Sequence, residues 1–382
     1  MAGLPPRIPL TARCAPCLLL LCSLGLAGCG ERRPDPFPGS ERPQLLVEGE
    51  VFTGYGYASR SRGGGDDETA NAFILDRAEL GLHYLTPTGL GAELRLEGVR
   101  TAEAGSYIGV AGNSLVMRVR RARGMYWSDL GPVRLRVELG LLRDPWLQAL
   151  LPRFNLRASG ALLAEQFGLF DANELGAVVG LSFLEGRLGL VLGASNGEGR
   201  AETELNDDKN LTVRLTFEEA LGLLDGSPLA IGVHGVARMG SEGPEPEPAR
   251  SDRLGGAVTV AHPDYGLGVM YLRAMGIEGR GDEDGEAFEV WADGKLAQWL
   301  GVGVRWSNFD RRPAGGSVVG RRRLTAGVFS DLDVFLPGLS RTRLYLLYDD
   351  EQLDPGASTV PGVEEQTTAI RLMLEVAGSR RF

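Results

Sequence analysis

The stretch Val133-Arg134-Leu135-Arg136-Val137-Glu138-Leu139-Gly140-Leu141 alternates at every position between an apolar residue and a charged or small one. Successive side chains of a β-strand point to opposite faces, so this pattern predicts a strand with one apolar and one polar face. Residues 211–217 and 370–376 show the same alternation. From residue 45 onward the chain is therefore predicted to be all-β.

About sixteen such segments follow one another, and the connections between them alternate between short and long. We predict strands at residues 45–57, 73–85, 90–100, 115–127, 132–142, 174–183, 187–196, 211–219, 228–239, 253–261, 267–277, 286–292, 296–308, 321–331, 341–349 and 367–378. The short connections include a turn at Asp293-Gly294, whereas the long ones, such as 278–285, are glycine-rich and often acidic. A soluble β-sandwich does not sort its connections in this way.

Strict alternation of short and long connections is typical of a transmembrane β-barrel, whose short turns face the periplasm and whose long loops face outward. The sheet should close on itself, because an open edge in hydrocarbon leaves backbone groups without hydrogen bonds. We therefore predict an all-β fold for residues 45–382, a transmembrane antiparallel β-barrel of about 16 strands with short periplasmic turns and long outer loops. A soluble all-β fold is the alternative.

Composition argues against several other classes of protein. The 382 residues carry a net charge of −10 and only two lysines, which argues against a nucleic-acid-binding protein. After the N-terminus no run of about 18 apolar residues occurs, so a helical membrane protein is not expected. His83, His234 and His262 do not stand in a metal-ligand spacing, and no nucleophile motif is present. We therefore predict no metal, no cofactor and no enzyme, with an outer-membrane hydrolase as a less favoured alternative.

Residues 1–28 have the pattern of a secretory signal peptide. Arg7 and Arg13 precede an apolar core, which ends in Leu26-Ala27-Gly28-Cys29. That ending resembles a bacterial lipobox, so we predict lipidation of Cys29; in the alternative, cleavage occurs nearby and Cys29 is incidental. Residues 29–44 contain four prolines and are expected to form an extended tether. An exported barrel of this kind is expected in the outer membrane of a Gram-negative cell, in contact with its lipid.

Four short stretches between residues 121 and 200 carry a resemblance to a known family. They are Arg121-Ala122-Arg123-Gly124, Val137-Glu138-Leu139-Gly140-Leu141-Leu142-Arg143-Asp144-Pro145-Trp146, Gly176-Ala177-Val178-Val179-Gly180 and Gly193-Ala194-Ser195-Asn196-Gly197-Glu198. These stretches resemble the phosphate-selective porin (O and P) family of outer-membrane porin-like β-barrels. The resemblance implies a sixteen-stranded porin that assembles as a homotrimer, with the second stretch leading into the loop that narrows the channel.

Residues 143–173 form the longest predicted connection, and they are the third long one along the chain. In porins the third loop typically folds into the barrel. The apolar patches at 146–151 and 161–164 favour the same placement here, because apolar side chains avoid water. The alternative is a surface loop that covers a contact between subunits.

Four arginines, at positions 118, 120, 121 and 123, crowd one predicted strand. Strict alternation would place two of them on the lipid face, where each arginine at mid-membrane costs about 2–4 kcal/mol. A single β-bulge near Arg120-Arg121 would turn all four inward, beside Arg134 and Arg136, and together with Arg143 they would make a basic ladder near the constriction. Alternatively, the first pair of arginines lies above the hydrocarbon. The predicted pore-lining and constriction residues are Arg118, Arg120, Arg121, Arg123, Arg134, Arg136, Glu138 and Arg143. In the alternative, Glu93, Glu97 and Glu138 neutralise nearby arginines and the lumen is balanced.

These features together predict an outer-membrane porin. It would form a water-filled channel for the passive diffusion of small hydrophilic solutes, with anions among the candidates, and size and wall charge would set its selectivity. The main alternative is a non-conducting barrel lipoprotein with a structural or assembly role.

Overall fold

The protein is described here by a computed structural model that covers eleven stretches of the chain. These are residues 42–62, 68–100, 115–154, 156–197, 208–222, 228–242, 249–277, 280–313, 318–334, 341–354 and 364–381. The predicted signal peptide, Cys29 and all but the last residues of the predicted tether lie outside the described residues.

The described residues form sixteen long strands and one small hairpin. The long strands are β1 (Gln44–Arg62), β2 (Glu68–Leu85), β3 (Leu90–Arg100), β4 (Leu115–Leu130), β5 (Val133–Arg143), β6 (Asn173–Phe183), β7 (Leu188–Ser195), β8 (Asn210–Gly222), β9 (Pro228–Met239), β12 (Asp252–Ala261), β13 (Tyr265–Ile277), β14 (Arg280–Ala297), β15 (Leu300–Arg312), β16 (Val319–Asp331), β17 (Thr342–Leu353) and β18 (Glu365–Arg381). The hairpin consists of β10 (Ser241–Glu242) and β11 (Ala249–Arg250).

The long strands form one closed antiparallel barrel in which each strand pairs with its neighbours along the chain. Closure comes from β1 and β18, which are in register from Leu46 opposite Arg381 to Arg62 opposite Glu365. This architecture confirms the predicted sixteen-stranded antiparallel barrel. One end carries the tight turns, such as Gly131–Pro132 between β4 and β5, and is called the short-turn end below.

The two faces of the barrel wall differ as the alternation predicts. In β13, Leu267 and Tyr271 lie on the outer face and are exposed, whereas Met270 and Leu272 on the inner face are buried. Exposed aromatic side chains on the outer face include Tyr84, Tyr126, Tyr271, Trp306 and Tyr348, and Trp299 is exposed in a turn. Aromatic residues near the strand ends are typical of the interfaces of a membrane barrel. Trp291 and Tyr345 instead face the interior and are buried.

The hairpin of β14 and β15 differs from the prediction. Asp293 and Gly294 lie within β14, and the turn falls at residues 298–299. An Asp-Gly pair favours a tight turn, but Gly294 here has register partners on both sides, Tyr265 in β13 and Val302 in β15, which hold it extended. The predicted long loop at 278–285 is also mostly strand, because β14 begins at Arg280.

Residues 144–172, called the inner segment below, connect β5 to β6. They contain two short helices, α1 (Pro145–Leu150) and α2 (Leu163–Gln166), and two 3₁₀ turns. Most of their apolar side chains are fully buried, including Trp146, Leu150 and Leu163 at 0% exposure. None of the helices in the described ranges is long and apolar enough to span a bilayer.

Candidate functional site

The inner segment folds into the barrel and supplies ten of the nineteen buried side chains of its largest apolar cluster. Trp146, Leu150 and Phe154 of this segment belong to one buried cluster with inward side chains of the wall. The wall residues of that cluster come from β9, β12, β13, β14 and β15: Val236, Ala257, Met270, Leu272, Ala274, Ile277, Ala287, Trp291 and Phe309. The inward placement predicted from the apolar patches is therefore confirmed. It also explains the burial of Trp291, whose ring meets Phe154 edge-on at 5.8 Å.

Polar contacts fix the inner segment to several parts of the wall. Arg157 donates two hydrogen bonds to the carboxylate of Glu50 on β1, at 2.7 and 2.8 Å. The backbone N–H of Leu163 donates to Glu289 on β14 at 3.0 Å. Further contacts join Arg253 to the Leu169 carbonyl, Arg323 to the Ser159 carbonyl and Arg153 to Glu218. Because these partners lie on different sides of the barrel, the segment extends across the lumen.

A β-bulge in β4 turns its arginines toward the lumen. Arg121 is in register with Arg95, and Val119 with Leu96, so Arg120 is the extra residue. A bulge of this kind adds one residue on one strand and shifts the alternation. Arg118, Arg120, Arg121 and Arg123 consequently all contact inward carboxylates.

These arginines form a charge-balanced group that we call the charged cluster. It consists of Arg95, Arg118, Arg120, Arg121, Arg123, Glu48, Glu79, Glu93, Glu97 and Glu138. Arg121 Nη1 lies 2.7 Å from Glu93 Oε1, and Arg123 Nη1 lies 2.6 Å from Glu138 Oε2. Arg121 and Glu93 are only 2% and 3% exposed. The geometry thus matches the alternative in which carboxylates neutralise the arginines of β4.

The other predicted arginines lie in three different places. Arg134 forms an exposed ion pair with Asp129, with Nε and Oδ1 2.9 Å apart. Arg136 faces a large cavity and donates to the Gln148 side chain at 3.3 Å. Arg143 lines a small cavity where the inner segment begins. The predicted residues therefore do not form one continuous basic ladder.

The large cavity has a volume of about 990 Å³ and lies against the wall formed by β5 to β8. It extends from turn residues at the short-turn end, such as Gly131 and Glu185, to Arg136 and Arg214. Arg214 on β8 was not among the predicted site residues. It lies on the polar face of the alternating stretch 211–217, so the sequence predicts that it points inward. The sequence does not predict its position beside Arg136.

The small cavity lies along the same wall, where the inner segment begins. Its volume is about 20 Å³, which is room for about one water molecule. Asp144, Pro145, Glu174 and Gly193 are among its lining residues. Glu174 is held there by an ion pair with Arg238, at 3.0 Å, and by a hydrogen bond from Ser195.

Asp144 caps α1 at the start of the inner segment. Its carboxylate accepts hydrogen bonds from the backbone N–H groups of Trp146 at 2.8 Å and Leu147 at 3.2 Å. Burial, together with the neighbouring negative charge of Glu174, raises the pKa of Asp144 to about 7 against the opposing effect of Arg238 and the cap hydrogen bonds. The cap should therefore change its charge near neutral pH.

This pKa predicts a pH-dependent stability. A carboxyl whose pKa is 3.8 in the unfolded chain and about 7 in the folded chain keeps its proton up to a higher pH when the chain is folded. The free energy of unfolding should then fall between about pH 4 and pH 7, by up to about 4 kcal/mol from this group, and level off above pH 7. Asp144→Asn, which retains a capping oxygen, should lack this slope. Urea unfolding in lipid vesicles at pH 5.5 and pH 7.5 tests this prediction. If the free energy of unfolding changes equally between the two pH values in both proteins, the prediction is contradicted.

No cluster suited to a metal ion is found within the described part of the chain: no group of three or more His, Cys, Asp or Glu side chains is placed to hold one. The ionisable side chains of the charged cluster instead pair with each other.

Comparison with known proteins gives the fold but no sequence family. No family model and no curated protein matches the chain. The chain is similar in structure to an anion-selective porin from Comamonas acidovorans, with a TM-score of 0.56, 14% identity, and 88% of this chain and 100% of that chain covered. It is also similar to the outer membrane channel DcaP of Acinetobacter baumannii, with a TM-score of 0.56, 13% identity and coverages of 89% and 99%.

A third similar structure is the outer-membrane expressed OmpT of Vibrio cholerae, with a TM-score of 0.52, 13% identity and coverages of 88% and 99%. None of these comparisons confirms the resemblance to the phosphate-selective family. The similar structures span nearly all of the barrel and share its architecture. The chain therefore has the fold of the sixteen-stranded outer-membrane porins.

Proposed function

We propose that the protein is an outer-membrane channel through which small hydrophilic solutes, including anions, diffuse passively. One observation carries this proposal: the closed barrel has an apolar outer face and contains an open cavity of about 990 Å³, whose lining includes Arg134, Arg136, Arg214 and Glu218. An apolar outer face suits lipid, whereas a polar lumen suits water and solutes. The similarity in fold to an anion-selective porin and an outer membrane channel supports it.

The same proposal includes the outer membrane as the location and the short-turn end as the periplasmic end. It also includes lipidation of Cys29, assembly as a homotrimer, and a role in transport rather than catalysis. Mass spectrometry of the protein isolated from membranes tests the lipid, and cross-linking in those membranes tests the trimer.

One specific observation favours the rival proposal of a non-conducting barrel. The inner segment contacts Glu50, Glu218 and Glu289, which lie on three well-separated strands, and its apolar core fills the lumen beside β9 to β15. A lumen filled in this way leaves little room for solutes. The two proposals differ in whether current passes.

Single-channel recording in a planar bilayer separates them. The refolded protein is expected to give discrete current steps of small conductance, because the inner segment narrows the lumen. A gradient of potassium chloride should give a reversal potential with the sign of anion preference. The control is heat-modifiable migration on gels, which shows that the preparation is folded. Recordings without current steps from such a preparation would overturn the channel proposal and favour the structural barrel.

A further inference from the structure

Two buried carboxylates, Asp144 and Glu174, line the small cavity where the inner segment begins. They are only 4% and 5% exposed. Glu174 has an ion pair with Arg238 at 3.0 Å and accepts a hydrogen bond from Ser195. Within the described ranges Asp144 has no salt bridge, and its carboxylate instead accepts hydrogen bonds from two backbone N–H groups of α1. Asp144 is therefore a buried acid whose ionised form is costly.

Three arginines reach this pair of carboxyls from different strands. Arg238 of β9 pairs with Glu174, and Arg143 of β5 lines the same small cavity. Arg214 of β8 interacts electrostatically with Asp144. The lining residues from β7 and α1 carry no titratable side chain. Burial of Asp144 and the negative charge of Glu174 outweigh the opposing effect of Arg238 and the cap hydrogen bonds, and they raise the pKa of Asp144 to about 7. Near neutral pH the pair therefore gains or loses one proton.

The start of α1 separates the small cavity from the large one. Val178 and Gly193 are register partners that line the small cavity. The next pair along β6 and β7, Gly180 and Val191, lines the large cavity. Val178 and Val191 are buried. Pro145 packs against this wall, because a Cβ atom added at Gly193 would lie 3.6 Å from Pro145 Cγ. In this conformation the wall and α1 are in closed contact, and the two cavities are not connected there.

Asp144 and Pro145, called the segment start below, lie outside the apolar cluster that anchors the inner segment. That cluster begins at Trp146, and the backbone contact of Leu163 with β14 lies further along the segment. At the segment start itself, the carbonyl oxygen of Pro145 accepts a hydrogen bond from Arg214 at 2.6 Å. The segment start can therefore move away from the wall while the rest of the segment stays in the lumen.

We propose that the segment start is a pH-dependent gate between the two cavities. It closes the β6–β7 wall while Asp144 is protonated, and it leaves the wall when Asp144 and Glu174 are both ionised. This gating role rests on the proposed channel function. When Pro145 leaves the wall, it no longer packs against Gly193, and the small and large cavities join into one space along β6 and β7.

The direction of the pH dependence follows from proton binding. In the closed form Asp144 has a pKa of about 7, whereas a carboxyl that has moved into water has its ordinary pKa of 3.8. Between these two values the closed form binds a proton that the open form lacks, so acid stabilises the closed form. The ratio of open to closed molecules should rise about tenfold per pH unit between about pH 4 and pH 7, and it should level off above about pH 7.

Hydrogen exchange tests the movement without requiring conduction. The N–H groups of Trp146 and Leu147 donate to Asp144, so they should lose protection when the segment start leaves the wall. After correction for the intrinsic exchange rate at each pH, their protection should fall about a hundredfold between pH 5 and pH 8. Asp144→Asn, which retains a capping oxygen, should show equal protection at both pH values. Glu219→Gln removes an exposed carboxylate paired with Arg187 and should retain the full change.

Single-channel recording at the same pH values tests the gating. The mean current of the unmodified protein should rise from pH 5 to pH 8, whereas Asp144→Asn should keep the low current of the acidic solution at both. Glu174→Gln removes the neighbouring negative charge that helps to raise the pKa of Asp144, so the current should level off at a lower pH.

The two measurements separate failure of the gate from failure of the channel. Equal protection of the unmodified protein at pH 5 and pH 8 would overturn the proposal. A protein that conducts with the same current at both pH values would overturn it as well, even if the protection changes. If the protein conducts at neither pH, the channel function fails and the gate fails with it, whereas a change in protection would still assign the movement of α1 to Asp144.

Discussion

Replacing the inner segment with a four-residue turn is expected to raise the single-channel conductance several-fold. The apolar core that this segment builds with β9 to β15 fills much of the lumen, so its removal should widen the narrowest cross-section. A short turn can join the flanking strands, because Arg143 and Asn173 are register partners in β5 and β6. Conductance in planar bilayers is the measurement, and gel migration before and after heating shows whether the variant is folded.

A matched control shortens another long connection of the barrel. The N–H of Ser251 donates to the carbonyl of Gly240 at 2.8 Å, so a short turn can also replace residues 241–250, which include the small hairpin. That variant should keep the conductance of the unmodified protein. Removing the inner segment exposes Trp291 and Phe309 to water, and these apolar side chains would favour collapse of the lumen. A second variant without the segment therefore also carries Trp291→Thr. A folded variant without the segment but with unchanged conductance would place the narrowing elsewhere.

Arg95→Met is expected to destabilise the barrel by about 3–5 kcal/mol, because removing one partner of a buried ion pair leaves uncompensated charges. Arg95 is 4% exposed. Its guanidinium lies 2.5 Å from Glu48, 2.9 Å from Glu79 and 3.4 Å from Glu93. The remaining arginines of the charged cluster already have carboxylate partners of their own. Urea unfolding of the protein in lipid vesicles measures the loss.

The control for this experiment is an arginine in an exposed pair. Arg187 Nη1 lies 3.1 Å from Glu219, and both side chains are at least partly in solvent. Arg187→Met should therefore cost between 0 and about 1 kcal/mol. Equal losses for the two variants would show that the charged cluster is hydrated rather than buried. A double variant, Arg95→Met with Glu79→Gln, should recover part of the stability, since it restores the balance of positive and negative charges in the charged cluster.

The number and order of the strands were predictable because alternation of apolar and polar residues is a local property of the sequence. Every strand has lipid on one side and the polar lumen on the other. Each strand therefore shows the same two-residue alternation of apolar and polar side chains, whichever strand it pairs with. The turn between β14 and β15 was predicted wrongly because its position depends on partners distant in sequence. Asp293-Gly294 favours a turn by itself, yet pairing with β13 and β15 keeps it extended.

The site was less predictable than the fold for a related reason. A bulge at Arg120-Arg121 was one of the arrangements predicted from the sequence, and the pairing of β3 with β4 has a bulge there. Which carboxylate neutralises which arginine depends on register, as in the pair of Arg123 with Glu138 on the next strand. The alternation of residues 211–217 predicts that Arg214 faces inward, but a single inward arginine does not indicate a functional site. The position of Arg214 follows from the path of the inner segment, which reaches it through the carbonyl of Pro145.

The seam between β1 and β18 has a consequence for assembly. It joins residues from the two ends of the described chain, in seventeen register pairs, so the most distant contacts in sequence are also among the most extensive. Contacts of large sequence separation form slowly, because the entropy of closing a long loop must be overcome first. Until β18 arrives, β1 presents an unpaired edge that invites aggregation. Closure of this seam is therefore expected to limit the folding rate, and a factor that holds the first and last strands together would accelerate it.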